Sequence, residues 1–340
     1  MSSLFQYVFE NGNGFSKRDL EATSPLQNNE VLIKPKYVGI CGTDLYLMKK
    51  MTTALHLGHE WLGEVIACGS QVIDFSVGDV VTGTGHFACG TCTDCTNQKS
   101  NLCSHAVHFS SDKIGALRSE FKAPDHQLHK VASPLKKSQV LHEIFAVGEQ
   151  AYSLLETHLQ QQENPAVLIL GAGPIGLSIA ETLKSYNISV ILVEKNISRV
   201  QRARTLGLSA FSLGEALLSA EFKSAHSLLV DTTNDYSEDL GGFRLLPFFA
   251  KKEFTALIVG KYLQPQSLSA QYNSMAGQLI WMRGVSNKIM KKSLPRWTSK
   301  LDSLAETFIS HTFSIDQLNE AFQMAQDKSQ SLKVVIALNE

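Results

Sequence analysis

Over the first 148 positions, apolar residues come in short runs broken by glycine. VLIKPKYVGI, GEVIACGSQV and GDVVTGTG read as strands, and together they predict an antiparallel, partly barrel-shaped domain. From Gly148 the character changes. Residues 150–162 read as a helix. AVLILGAG, IGLSIAETLKSYN and SVILVEKN then give strand, glycine turn, helix and strand, which is a βαβ unit. HSLLVDT and FTALIVG continue as strands, and QLIWMRGV reads as the last strand of the same parallel sheet. Helical spacing returns in SKLDSLAETFIS and IDQLNEAFQMAQ, and LKVVIAL reads as a strand that rejoins the first domain. The expected class is α/β. Residues 1–148 with 287–340 form one domain, and 149–286 form a doubly wound parallel-sheet domain.

A chain of 340 residues, 44% hydrophobic, is long enough for two cores. The net charge of -1 gives no general attraction to nucleic acid or to an anionic membrane. No apolar run has the length of a membrane span. The start, MSSLFQYVFENGNG, lacks the basic residues and apolar stretch of a secretory signal, so the expected setting is cytoplasmic. Reducing conditions also suit a chain whose six cysteines include a cluster of four. Cys68 reads as a small buried apolar residue.

That cluster is Cys89, Cys92, Cys95 and Cys103, spaced C-x2-C-x2-C-x7-C. Four thiolates so close in sequence suit the closed tetrahedral shell of a structural zinc better than a pair of disulfides. A second donor set lies in Cys41-Gly42-Thr43-Asp44 and Gly58-His59-Glu60. A catalytic zinc takes three such ligands and keeps its fourth position open. Either Glu60 or Glu143 completes this shell, directly or through a water. Asp44 is placed to bond the far nitrogen of His59 and fix its tautomer.

Gly171-Ala172-Gly173-Pro174-Ile175-Gly176 follows a strand and opens a helix. Its glycines permit a tight turn and let the backbone approach a pyrophosphate at the helix N-terminus. Glu194 ends the next strand, where a carboxylate accepts both ribose hydroxyls and repels a 2′-phosphate. NAD is therefore expected over NADP, with Lys195 and Arg199 acting against that preference. Thr232 and Gly260, at the ends of two later strands, are further candidate cofactor contacts.

Gly58-His59-Glu60-x2-Gly63-x5-Gly69-x2-Val72 resembles the zinc signature of the medium-chain, zinc-dependent alcohol dehydrogenases. CGTD, the four-cysteine lobe, Glu143 and GAGPIG follow in that family's order. The chain is most similar to the polyol (sorbitol) and L-threonine 3-dehydrogenase branch, because Glu143 stands where the alcohol enzymes proper carry a cysteine. GTGHFACGTC, with His86, and HTFSID are similar to L-threonine 3-dehydrogenases in particular. The resemblance implies a GroES-like catalytic domain and a Rossmann NAD-binding domain. It implies two zinc ions per chain. QLIWMRGV, at an exposed sheet edge, is expected to pair across a two-fold axis in a homo-oligomer, dimer or tetramer, and the charge balance predicts no nucleic-acid or membrane partner. The implied reaction passes a hydride from a secondary alcohol (a polyol, sugar alcohol or amino alcohol) to NAD and yields a ketone. Cys41, His59 and Glu60 would form the shell, Glu143 would lie close by, and Thr43 would begin the proton path. L-threonine 3-dehydrogenase itself is one alternative. A dehydrogenase-like protein that binds nucleotide and zinc without turnover is another.

Three departures stand out. Tyr46 occupies the place of the family's outer proton-relay histidine, so that step is expected to pass through water or another group. The 42–58 stretch between Cys41 and His59 is shorter than in the branch named. The chain from Ser212 to Lys292 is poor in the glycines expected around the nicotinamide.

Overall fold

The computed structural model describes residues 4–20, 24–234, 241–262 and 270–338. It divides into two compact units, residues 1–146 with 284–340, and residues 147–283.

In the first unit, a seven-stranded sheet is built on the strand Glu30–Gly39. That strand pairs antiparallel with Glu60–Cys68, Phe121–Pro124 and Lys333–Ala337. Its inward side chains include Val31 and Ile33, both fully buried. Trp61, Val65, Val81 and Phe121 fill the space against them, with Trp61 and Phe121 edge to face at 5.0 Å. The register sets Gly39 between Glu60 on one side and Val335 on the other. The C-terminal strand and the beginning of Glu60–Cys68 thus flank the end of Glu30–Gly39, next to Cys41 and His59.

The second unit holds six parallel strands: β1 (Ala166–Leu170), β2 (Ser189–Glu194), β3 (Ser209–Ser212), β4 (His226–Asp231), β5 (Ala250–Ile258) and β6 (Ala276–Trp281). Their spatial order is β3-β2-β1-β4-β5-β6. Val167 to Leu170 are all buried, as a parallel strand covered on both faces requires. The order reverses between β1 and β4, which marks the crevice where a dinucleotide binds in such sheets.

Several helices differ from the sequence expectation, which did not include Ile197–Thr205, Leu213–Leu218 or Gly242–Phe249. The helix expected from residue 150 begins at His142 and runs to Gln160. Gly148 inside it reads as a break. The structure gives it another reason, since a side chain there would lie 2.8 Å from the Ser178 carbonyl and against Thr182. The helix Gly42–Lys50 was not expected, because it buries Asp44 alone and has no apolar stripe. Asp44 and the Cys41 backbone close its first turn, and Lys49 and Lys50 suit its C-terminal dipole. Asn287–Trp297 was masked by Pro295 within it. Among the described residues no helix is long and apolar enough to cross a membrane.

Candidate active site

Cys41 caps the Gly42–Lys50 helix, and His59 immediately precedes the strand Glu60–Cys68. Pairing of the two strands brings one donor atom each of Cys41, His59 and Glu60 within 4.8 Å of one another. Asp44 is fully buried behind them. Its Oδ1 lies 3.0 Å from His59 Nδ1 and accepts the Ser110 hydroxyl at 2.8 Å, and its Oδ2 accepts the Cys41 N–H at 3.1 Å. Asp44 can only accept, so His59 donates through Nδ1 and keeps the Nε2 lone pair for a metal. Burial acts to raise Asp44, but the charge of His59 and these hydrogen bonds hold it below its ordinary value. Burial acts to lower His59, yet the negative charges of Asp44 and Cys41 raise it well above the usual imidazole range. The imidazole thus draws the positive charge that a bound cation would otherwise supply, so the donor set fits a divalent zinc.

Glu60 is also tied from behind. The Lys333 ammonium donates to its two oxygens at 2.7 and 2.5 Å and to the Ile40 carbonyl at 3.2 Å. Both side chains are almost completely buried. Burial acts against the charge on Lys333, but Glu60 and Cys41 raise its pKa. Glu143 is not one of the three grouped donors. Burial, and then the charge of Glu60, push it up to about 7. The sequence reading missed Lys333, although a lysine inside the apolar run LKVVIAL was the signal. In the zinc-free protein Lys333→Met leaves Glu60 as an uncompensated buried charge, for which the expected loss is about 3–5 kcal/mol. Urea unfolding measures it. The double variant Glu60→Gln Lys333→Met should regain most of the loss, and an unchanged midpoint in Lys333→Met would contradict the pairing.

Thr43 is half-buried in the first turn of the same helix, beside Asp44. Tyr46 accepts a hydrogen bond from Lys50 Nζ at 2.9 Å, and that ammonium lies 5.4 Å from the ring centre.

In the lobe, the sulfurs of Cys89, Cys92, Cys95 and Cys103 approach at 3.5 to 3.9 Å. A tetrahedron with zinc–sulfur distances of about 2.3 Å has edges of about 3.8 Å, so the four sulfurs have the dimensions of a closed zinc shell. Backbone N–H groups of Thr91 and Cys92 favour the Cys89 thiolate and pull its pKa down to about 5. Gln127 braces the lobe through the backbone of Ala88, and Asn287 braces it by donating its N–H to Ser100 Oγ at 2.8 Å. His86 is buried with Nε2 3.1 Å from the Ser100 carbonyl, so it too anchors the lobe.

In the second unit, Gly171 has φ +99° and a side chain there would meet Thr232 Oγ1 at 2.7 Å. Gly173 caps the helix that Pro174 and Ile175 begin, and Gly176 has no room for a side chain against the Gly171 carbonyl. Glu194 faces this turn, accepting the N–H of Ala172 at 2.8 Å and of Asn196 at 2.9 Å. A carboxylate with two such bonds still has free lone pairs. The Arg199 guanidinium lies 3.3 Å from where a Gly173 side chain would begin, while Lys195 is an exposed residue. Burial lowers Arg199, and Glu194 opposes that shift. Thr232 donates its hydroxyl to the Leu170 carbonyl at 2.9 Å and approaches that of Gly171 at 3.2 Å, so it holds the turn in shape. Gly260 packs directly on the Thr233 backbone.

Comparison with known proteins agrees with this fold. Residues 27–133 match the alcohol dehydrogenase GroES-like domain, and residues 167–240 match the TrkA-N domain. An L-threonine 3-dehydrogenase of Serratia proteamaculans is 27% identical over 327 residues, covering 92% of this chain and 93% of that protein. An Escherichia coli alcohol dehydrogenase solved with NADH superposes with a TM-score of 0.84 at 24% identity, covering 99% of this chain and 100% of that one. Galactitol-1-phosphate dehydrogenase from Escherichia coli gives a TM-score of 0.83 at 20% identity, covering 98% and 100%.

Proposed function

Because the chain belongs to the medium-chain, zinc-dependent alcohol dehydrogenase family, we propose that it oxidises a polyol, sugar alcohol or amino alcohol at a secondary carbon to the ketone. The observation that carries this reading is the meeting of Cys41, His59 and Glu60 around an imidazole oriented by Asp44. In this reading the first unit is the catalytic domain and the second binds the dinucleotide. Each chain holds two zinc ions, one at this shell and one in the lobe. When bound, zinc at the first shell would lower the pKa of the alcohol, and NAD would take up the hydride.

The chain's own groups supply the rest. Asp44 and Ser110 keep the His59 Nε2 lone pair directed at the shell. Lys333 neutralises Glu60 and so limits the total negative charge around the metal. Burial beside Glu60 raises the Glu143 carboxyl, which favours its neutral form over a second full charge. Thr43 takes the hydroxyl proton outward, and solvent relays it past the Tyr46–Lys50 pair.

Metal content, and cofactor reduction over a panel of polyols and amino alcohols, test this reading. Failure with every alcohol, despite full zinc and bound NAD, would favour a protein without turnover. L-threonine belongs in the panel, because relatives alike over nine-tenths of the chain are L-threonine 3-dehydrogenases. A lobe of four clustered thiolates suits a reducing, cytoplasmic setting. The edge strand β6, with Trp281 exposed, suits pairing between copies in a homo-oligomer.

Cofactor choice rests on Glu194. Its place at the end of β2 supports NAD over NADP. Glu194→Ala should weaken NAD binding and narrow its advantage over NADP, as titration with both cofactors measures. A native protein that prefers NADP would count against this role.

A further inference from the structure

Asp231 ends β4 and is fully buried. Its Oδ1 accepts the Thr233 N–H at 2.9 Å and the Thr233 hydroxyl at 2.7 Å, and its Oδ2 accepts the Tyr262 hydroxyl. Those two hydroxyls serve as acceptors in turn. Thr233 Oγ1 takes the N–H of Gly242 at 2.6 Å, and Tyr262 Oη takes that of Phe243 at 3.0 Å. Gly242 and Phe243 open the helix Gly242–Phe249, so the carboxylate caps that helix through two intervening hydroxyls. One buried acid thereby joins three chain segments: the end of β4, the segment just beyond β5 and the start of this helix. Burial raises Asp231, which marks the arrangement as one held at an energetic cost.

The position of this cluster suggests its use. A dinucleotide lies across the carboxyl edge of such a sheet at the switch between β1 and β4, one half on either side. The glycine turn and Glu194 belong to β1 and β2, on the adenosine side. Asp231, Thr233 and Tyr262 belong to β4 and to the segment after β5, on the other side. Gly260 lies flat against the Thr233 backbone, so the two segments meet closely and their spacing depends on this contact.

We infer that Tyr262, backed by Asp231 and Thr233, is a positioning residue for the nicotinamide half of the cofactor. It fixes the backbone that this half rests on and leaves the adenosine half untouched. The inference rests on the dinucleotide reading given above.

The test compares NADH with ADP-ribose, which lacks only the nicotinamide, by calorimetric titration of the zinc-loaded protein. In Tyr262→Phe a buried, charge-assisted hydrogen bond is lost, so the NADH dissociation constant should rise about tenfold. That for ADP-ribose should stay within about a factor of two. Thr233→Val should shift the same ratio, and Thr233→Ser, which keeps the hydroxyl, should restore the native one. Thr233→Val carries the test if Tyr262→Phe does not fold. Equal weakening of both ligands would reduce the cluster to a structural role and overturn the inference, as would an unchanged ratio. A native protein that binds neither ligand would overturn the dinucleotide reading along with it.

Discussion

His59→Ala is expected to abolish turnover, lowering it by several powers of ten, because it removes the main electrostatic contribution to the reaction. His59 is the one nitrogen donor in the Cys41–His59–Glu60 set, and Asp44 fixes its orientation with Ser110 bonded to the same carboxylate oxygen. Without it the remaining donors are a thiolate and a carboxylate already bound by Lys333. Zinc content should fall by one ion per chain while the lobe keeps its own. Thr43→Ala provides the internal control. It alters only the outward passage of the proton, so its cost should be smaller, on the order of a hundredfold. Turnover against pH, on whichever secondary alcohol proves active, measures both. Near-native turnover in His59→Ala would refute the metal mechanism.

Cys95→Ser should act on folding before it acts on chemistry. A closed shell of four thiolates contributes metal-binding free energy directly to the folded state, about 10–16 kcal/mol in small zinc-binding peptides. Its loss should lower the melting temperature by roughly 10 °C or more, or prevent recovery of folded protein. The effect should extend beyond the lobe. Ser100 is bonded to His86 and to the start of the Asn287–Trp297 helix, and Gln127 joins Ala88 to Asn287. Calorimetry and zinc analysis on the purified variant test this. Wild-type zinc content together with wild-type melting temperature would sink the idea of a structural zinc.

What could be read from the sequence alone shares one property, which is that the signal is local. Four cysteines within one short segment cannot lie far apart, so their spacing already implied a shell, and the sulfur separations have its dimensions. A strand, three glycines and a helix are contiguous, so the turn and the Glu194 that faces it were legible too. Among the parallel strands from 166 to 281, β1, β2, β4 and β5 announced themselves because their buried stretches are apolar, and β6 was legible as an apolar run although it is largely exposed, whereas the short β3 went unread. Helices held by a cap, by close approach or around an internal proline gave no such periodic signal, and Gly42–Lys50, the start of His142–Gln160 and Asn287–Trp297 went unread.

Only the tertiary structure decided which charges meet. Lys333 reaches Glu60 across 273 positions, Ser110 reaches Asp44, and Tyr262 reaches Asp231. No spacing rule connects such partners, because sheet register and crossover connections bring them together. Spacing along the chain therefore proposed Cys41, His59 and Glu60 as a metal site. The fold determined the charge balance around them, since a buried carboxylate or ammonium depends on its neighbours in space, whatever their distance in sequence.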